Sequence, residues 1–468
     1  MKFINRLGEM ARLNRLMKQE EGALVVIWGR RRIGKTRLLL EWVNKHDGIY
    51  YMADESSASL QRKFFSSSLE KIFPGFGQVE YPDWPSLLLR LAREAKLLQW
   101  KGPLVIDELP YLVAASPELP SLLQKFIDLE VKTGSLVLAL CGSSQKMMQG
   151  AVLSASSPLY GRAQEIIKLE PISVSYLGEA LDFKNPREII ESYAIWGGIP
   201  RYWELVKNNG LTLIDCIDHL VLDPMGSLND EPQRLLLEEM PPATTVRPIL
   251  DAIGLGAHRL SEIATKVGQS ATSLSRPIQR LMEMDLIKKE IPFGCLEHHS
   301  KKTLYKIKDP FLRFWFETIA PKRSYLMQSH PSSRKKWIQE HLPPLYSIMW
   351  QDLCRRALPL LSESWGEPFF GQASRFWHAQ GKEWDLVSSS LNGKAVLIGE
   401  AKWLMKQPSQ SWTESAMEEL KMKGFPPVDR HTSSVLYCAL FLPEKPKKVN
   451  IPPHCRLVDA EEVLTALT

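Results

Sequence analysis

Leu24-Val25-Val26-Ile27-Trp28-Gly29-Arg30-Arg31-Arg32-Ile33-Gly34-Lys35-Thr36 runs from an apolar segment into Gly-x-x-x-x-Gly-Lys-Thr, and the leucine-rich segment Arg37 to Val43 follows. The apolar part predicts a buried strand, the leucine-rich part a helix. Between them, glycines admit the backbone angles of a tight turn, so that successive N–H groups converge on phosphate oxygens. A helix opening near Gly34 aims its positive end at the same anion. Lys35 is placed to neutralise β- and γ-phosphates, and the Thr36 hydroxyl to coordinate Mg²⁺. A basic surface turn is the bland alternative, and the flanking strand and helix speak against it. The expectation is a P-loop that binds a nucleoside triphosphate through Gly29, Arg30, Arg31, Arg32, Ile33, Gly34, Lys35, Thr36 and Arg37.

A second apolar run, Gly102-Pro103-Leu104-Val105-Ile106-Asp107-Glu108-Leu109, ends in adjacent carboxylates. Asp107 at the strand's carboxyl end suits a Walker-B role, holding Mg²⁺ through water. Glu108 is the candidate general base that polarises an attacking water. An ordinary strand-to-loop transition would look similar, but the position downstream of a P-loop favours the functional reading. A third apolar run, Ser135 to Cys141, leads into Gly142-Ser143-Ser144, where Ser143 stands at the place of a γ-phosphate sensor. A plain turn explains these serines almost as well.

With 468 residues and an apolar fraction of 44%, the chain has material for about three domains with real cores. Its six cysteines include no Cys-x-x-Cys pair, which argues against a zinc knuckle or a disulfide framework and for a reducing, cytoplasmic setting. No apolar run approaches a membrane span, and Met10 to Lys18 reads as an amphipathic helix rather than a signal-peptide core. A net charge of +6 permits nucleic-acid contact without demanding it.

The chain divides by pattern. Residues 1–170 alternate strand and helix, with further strand at Gly48 to Ala53 and helices at Ala58 to Phe73 and Trp84 to Trp100, as in a parallel α/β sheet. Residues 171–241 read as a helical lid, interrupted at Trp196-Gly197-Gly198-Ile199-Pro200-Arg201-Tyr202, and Pro241-Pro242 marks a joint. In 242–310, Arg259 to Gly268 predicts a helix and tight turn, and Ser273 to Met284 a second helix, apolar at Leu274, Ile278 and Leu281. Asp285 to Glu290 then pairs with Thr303 to Ile307 as a wing. This winged helix-turn-helix would present Ser273, Ser275, Arg276, Gln279 and Arg280 to DNA phosphates and base edges; the alternative is a packing module. A helical connector, 311–344, leads to an α/β tail, 345–468.

In the tail, Lys382-Glu383-Trp384-Asp385-Leu386-Val387 and Val396-Leu397-Ile398-Gly399-Glu400-Ala401-Lys402 predict a hairpin. Strand alternation places Glu400 and Lys402 on one face. With Asp385 they would gather two carboxylate ligands for Mg²⁺ and one ammonium, the outfit of metal-dependent phosphodiester cleavage. Solvated charges on two strands are the structural alternative.

Together these segments resemble the prokaryotic ATPases of the archaeal-ATPase clade, within the AAA+/STAND group. The resemblance rests on Phe3 to Glu9, the Gly-Arg-Arg-Arg-Ile-Gly-Lys-Thr loop, Ile106-Asp107-Glu108, Cys141 to Ser144, Tyr160-Gly161-Arg162 and Trp196 to Tyr202. It extends through the winged helix into a tail similar to PD-(D/E)XK nucleases. It implies ATP as the nucleotide, Arg162 reading phosphates in cis or, within a homo-oligomer, in trans, and Arg201 as a second sensor. One departure stands out: Gln351 occupies the place of the acid expected on the tail's first helix. Asp352 beside it would point elsewhere, because one helical residue turns by about 100°. The resulting expectation is an ATP-hydrolysing switch coupled to a DNA-binding, metal-dependent nuclease tail, or else a signalling or scaffold switch whose tail is inert.

Overall fold

The computed structural model describes residues 2–143, 148, 150, 152, 154–239, 246–295, 302–377, 381–428 and 434–468. The Pro241–Pro242 joint and Ser144 lie outside the described residues. The chain forms two compact units, Met1–Ile172 with Ile199–Arg201, and Ser173–Gly198 with Tyr202–Thr468.

The first unit is built on five strands, β1 (Ala23–Trp28), β2 (Ile49–Met52), β3 (Leu104–Asp107), β4 (Val137–Gly142) and β5 (Glu165–Lys168), in the order β2-β3-β4-β1-β5. All pairings are parallel, so every strand ends on the same edge and each return passes over a face. The helices that cover those faces are α1 (Leu7–Leu16), α2 (Lys35–Lys45), α3 (Ala58–Leu69), α4 (Trp84–Leu97), α5 (Leu109–Ala115) and α6 (Leu119–Phe126). Burial on both sides is why β1, β3 and β4 read as continuous apolar runs. Alternate residues divide between two cores. Leu24, Val26, Leu104, Ile106, Leu138 and Leu140 pack with Phe65, Trp84 and Leu123. Ala23, Val25, Ile27, Val105, Val137 and Cys141 pack with Leu13, Leu38 and Trp42.

Helices α3 and α4 stop short of the ends expected from sequence, at Leu69 and Leu97. The start of α4 is fixed by Asp83, whose carboxylate accepts from the Ser86 N–H at 2.8 Å. The edge strand β5, Glu-Ile-Ile-Lys, carries no long apolar run that would mark it in the sequence. Its Ile166 is 52% exposed, while Glu165 is buried beneath Arg12 and Arg15.

In the second unit, the helix Pro186–Trp196 ends at Gly197, with φ 58° and ψ −155°. The Trp196 ring stacks on Phe311 at 6.3 Å, and a Cβ at Gly197 would meet Pro310 Cδ at 3.1 Å. Beyond the helix Glu231–Glu239 come the helices Arg247–Gly254, Leu260–Val267 and Ala271–Glu283, with Gly268 capping the second of these in the left-handed region. The antiparallel strands β6 (Ile287–Glu290) and β7 (Leu304–Ile307) complete this segment. The connector is helical, through Pro310–Phe314, Arg323–Gln328 and Pro331–His341.

The tail places the helix Pro343–Trp365 before β8 (Ser374–Phe376), β9 (Trp384–Ser389) and β10 (Ala395–Ala401). The helix Gln410–Lys423 then crosses to β11 (Val435–Phe441), and β12 (Cys455–Val458) closes a sheet of order β12-β11-β10-β9-β8. Pairing is antiparallel from β8 to β10 and parallel from β10 to β12. The short edge strands β8 and β12 were not legible in the sequence, because three or four residues give no usable alternation.

Gly197→Ala forces an L side chain into backbone space open essentially to glycine alone. It should destabilise the second unit by about 1–3 kcal/mol, read as a lower thermal midpoint; an unchanged midpoint would show that the turn relaxes freely.

Candidate nucleotide site

Residues 29–36 leave β1 and enter α2 across a turn that needs unusual backbone angles: Arg32 has φ 66° and Gly34 φ 95°. Gly34 caps α2 in the left-handed region, so the first N–H groups of the helix are directed into the loop's concavity. A Cβ at Gly29 would lie 2.8 Å from the Leu169 carbonyl oxygen, which excludes any other residue without backbone movement. Lys35, 6% exposed, donates its ammonium protons to the Gly29 carbonyl at 2.7 Å and the Arg30 carbonyl at 3.1 Å. The cation therefore spans the loop where phosphate oxygens would compete for the same protons.

Asp107, at the end of β3, is 1% exposed. Its Oδ2 accepts from the Thr36 hydroxyl at 3.1 Å and from the Tyr50 hydroxyl at 2.7 Å, and its Oδ1 accepts from the Glu108 N–H at 2.9 Å. The fully buried Cys141 thiol also hydrogen-bonds Asp107, and burial first, then that carboxylate, push its pKa well up. Thr36 and Asp107 are thus in contact, as a shared metal role requires. A hydroxyl that gives its proton to Asp107 keeps its oxygen lone pairs for a cation, so this donor set fits a hydrated Mg²⁺ that takes its remaining oxygens from phosphate and water.

Glu108 sits in the left-handed region, φ 53° and ψ 42°, a position uncommon for a non-glycine residue. Ser143 fastens its carboxylate, the N–H donating at 3.2 Å and the hydroxyl donating to the other oxygen. The structure therefore brings the base and sensor candidates into direct contact.

Other predicted residues fall unevenly around this centre. Arg31 reaches the Tyr111 hydroxyl at 3.4 Å. Arg37 pairs with Glu41 one turn along α2, on an exposed surface. Arg162 lies before β5, at the amino edge of the parallel sheet, tied to Asp128 at 2.9 Å and to the Pro158 carbonyl at 2.8 Å. The P-loop occupies the carboxyl edge, so the structure does not bring Arg162 to the loop of its own chain. Arg201 is exposed on the first turn of the helix Pro200–Asn209. Its neighbour Pro200 packs by the loop, 3.7 Å from a Cβ placed at Gly34. Sequence reasoning gave no role to Arg6. Its guanidinium, 4% exposed, donates to the Ile33 carbonyl at 2.9 Å and to Glu9 at 2.9 Å, pinning the loop from beneath.

Residues 3–206 match a family of ATPase domains predominantly from Archaea. Residues 315–413 match a family of archaeal and bacterial proteins of unknown function. An uncharacterized protein of Methanocaldococcus jannaschii is 31% identical over 404 residues, covering 86% of this chain and 87% of its own. The chain belongs to the archaeal-type ATPase family. A Walker-type ATPase of Pyrococcus abyssi shares the fold over 67% of this chain and 96% of its own, with 21% identity and a TM-score of 0.51. Among the described residues, no helix of the ATPase is long and apolar enough to cross a membrane.

The tail of the ATPase holds its second predicted cluster. Asp385 and Glu400 face one another across the hairpin, one step beyond the Gly399–Leu386 pair. Asp385 Oδ2 accepts from the Ala401 N–H at 3.1 Å, and its pKa is raised by burial and by the Glu400 charge. Glu400 is bonded to Lys402 at 2.8 Å and to Lys423. Burial raises its pKa, but these two ammonium groups outweigh burial and bring it below the usual value. Asp385, Glu400 and Lys402 thus converge as expected. Asp385 and Glu400 stand as a pair: among the described residues no group of three or more His, Cys, Asp or Glu side chains is placed to hold a metal ion. The missing acid is not replaced by Asp352. Its carboxylate is held by Lys288 at 2.7 Å, Arg355 at 2.7 Å and Arg313 at 3.2 Å. Burial opposes its ionisation, yet these three cations hold its pKa well below the usual carboxylate range.

Three outcomes follow from this geometry. Lys35→Ala should weaken ATP binding by roughly 10- to 100-fold, the worth of about 1.5–3 kcal/mol for one charge-assisted contact; equal affinity by calorimetry would remove Lys35 from the site. Glu108→Gln leaves an oxygen for Ser143 but cannot take a proton from water, so ATP affinity should persist while kcat falls by about 10²- to 10⁴-fold; undiminished phosphate release would place the base elsewhere. Asp352→Ala strands three cations and should destabilise the second unit by about 3–5 kcal/mol. Because the folded pKa of Asp352 is depressed, its contribution is complete above about pH 4 and is lost as pH falls below that. Wild type should therefore lose a stability increment on acidification that the variant does not, and parallel pH profiles would contradict the assignment.

Proposed function

We propose that this ATPase is a nucleotide-driven switch that holds DNA through its helix-turn-helix segment, with a nuclease-like tail. The observation that carries the switch is the division of the chain at one turn. Ile199–Arg201 belongs by its packing to the P-loop unit, while the residues on both sides belong to the other. A change in phosphate charge at Lys35 and Arg201 would act on that turn and so on the chain that continues from it. Thr36 and Asp107 would hold Mg²⁺, which supplies positive charge against the phosphates; Glu108 would take the proton of the attacking water, and Ser143 would hold that carboxylate in place.

The DNA reading is supported by one amphipathic helix. Leu274, Ile278 and Leu281 are buried, whereas Ser273, Ser275, Arg276 and Gln279 are exposed on the opposite side. Three short helices followed by an antiparallel hairpin suit a winged helix that reads a major groove. A working nuclease is a second reading, favoured by the convergence of Asp385, Glu400 and Lys402 in a tail that runs helix, three strands, helix, two strands and helix. The loss of an acid at Gln351 and the lysine pair on Glu400 oppose it.

Duplex DNA binding measured by anisotropy against salt tests the first reading. Arg276→Glu with Arg280→Glu should weaken affinity and flatten the log–log salt slope by about two; an unchanged slope would leave the segment a packing module. Incubation of plasmid DNA with Mn²⁺, with and without ATP, tests the second. Cutting by wild type or by Gln351→Glu, abolished by Asp385→Ala, would establish the nuclease, and failure of both proteins would leave a tail that only binds.

A further inference from the structure

Tyr50 contributes to no motif, yet its hydroxyl donates to the carboxylate at the end of β3. It lies on β2 opposite Val105, and Asp107 is the next residue of β3 on the same face. That face is the one covered by α2, where the Tyr50 ring is partly buried against the core that holds Leu38 and Trp42. The diagonal separation of such neighbours is within reach of a phenol, and the Tyr50 hydroxyl donates to Asp107 Oδ2 at 2.7 Å. Thr36 donates to that same oxygen at 3.1 Å. Two donors on Oδ2, with the Glu108 N–H at 2.9 Å on Oδ1, leave the carboxylate little rotational freedom.

We infer that Tyr50 is a positioning residue for the cation that accompanies the nucleotide, acting through Asp107 without touching substrate. This rests on the reading that Thr36 and Asp107 support Mg²⁺. A carboxylate that holds a hydrated ion through water must keep its orientation while water and phosphate exchange around it. Removing the phenolic proton loosens Oδ2 and leaves Thr36, among the described residues, as the hydroxyl that still donates to it, beside the Cys141 thiol on the same carboxylate. Outer partners of this kind typically govern metal affinity by about 10- to 100-fold. The loop's own grip on phosphate, through the N–H groups of residues 29–36 and Lys35, does not pass through Tyr50.

Tyr50→Phe tests this, because it keeps the buried ring and deletes only the hydroxyl. Titration of a fluorescent ADP into the full chain, first in EDTA and then at a series of free Mg²⁺ concentrations, separates the two contributions. The expected result is wild-type affinity in EDTA, an unchanged melting midpoint, and a half-saturating Mg²⁺ concentration raised about tenfold or more. A variant that responds to Mg²⁺ as wild type does would overturn the inference alone. Weaker binding already in EDTA would make Tyr50 a general support of the loop and would likewise overturn it. A wild type whose affinity ignores Mg²⁺ would overturn the metal reading and the inference together.

Discussion

The carboxylate of Asp107 is the junction on which the nucleotide unit depends. It is almost completely removed from water, and an ionised carboxylate in such a place must be hydrogen-bonded or pay a large desolvation cost. Its partners come from four separate segments: Thr36 from the P-loop, Tyr50 from β2, Cys141 from β4 and the Glu108 N–H at the start of α5. Satisfying one charge therefore fixes the position of the loop relative to three adjacent strands. The left-handed backbone at Glu108 follows from the same place. The chain must turn sharply after Asp107, and the turn delivers the Glu108 carboxylate to Ser143.

A comparable junction organises the second unit. Asp352 draws Lys288 from β6, Arg313 from the connector and Arg355 from its own helix. Arg355 also donates to the Asp385 main-chain carbonyl at 3.0 Å. Three successive hydrogen bonds thus connect β6 with the strand that carries Asp385. Beside it, Glu290 of β6 pairs with Lys306 at 2.9 Å and with Arg375 of β8 at 3.3 Å. This ionic seam ties β6, β7, the connector and the start of the tail together although the sequence suggests several pieces. Pattern and proline punctuation mark where elements end, but they carry no record of which charges will meet across them.

The same distinction governs what was legible of the site. Gly29 to Thr36, Asp107 and Glu108 could be read directly, because local backbone geometry and adjacency in the chain define their chemistry. Asp385, Glu400 and Lys402 were readable from strand alternation within one hairpin. Arg162 and Arg37 could not be placed from sequence, since an arginine beside a motif looks alike whether it faces phosphate or a carboxylate such as Asp128 or Glu41. Tyr50 and Arg6 were missed as contributors, since their hydrogen bonds to Asp107 and Ile33 arise from sheet order and from a packed N-terminal segment. Gln351 did register as a departure, and the helix placed Asp352 off that position, as one residue of rotation demands.

The central claim is that this buried junction prepares a P-loop for ATP. A crystal structure of the full chain with a non-hydrolysable ATP analogue and Mg²⁺ tests it most directly. The account predicts phosphates cradled by the N–H groups of residues 29–36, Lys35 Nζ moved from the Gly29 and Arg30 carbonyls onto phosphate oxygens, and the Thr36–Asp107 contact retained. Nucleotide bound away from this loop, or Lys35 still bonded to those carbonyls beside a bound triphosphate, would contradict it.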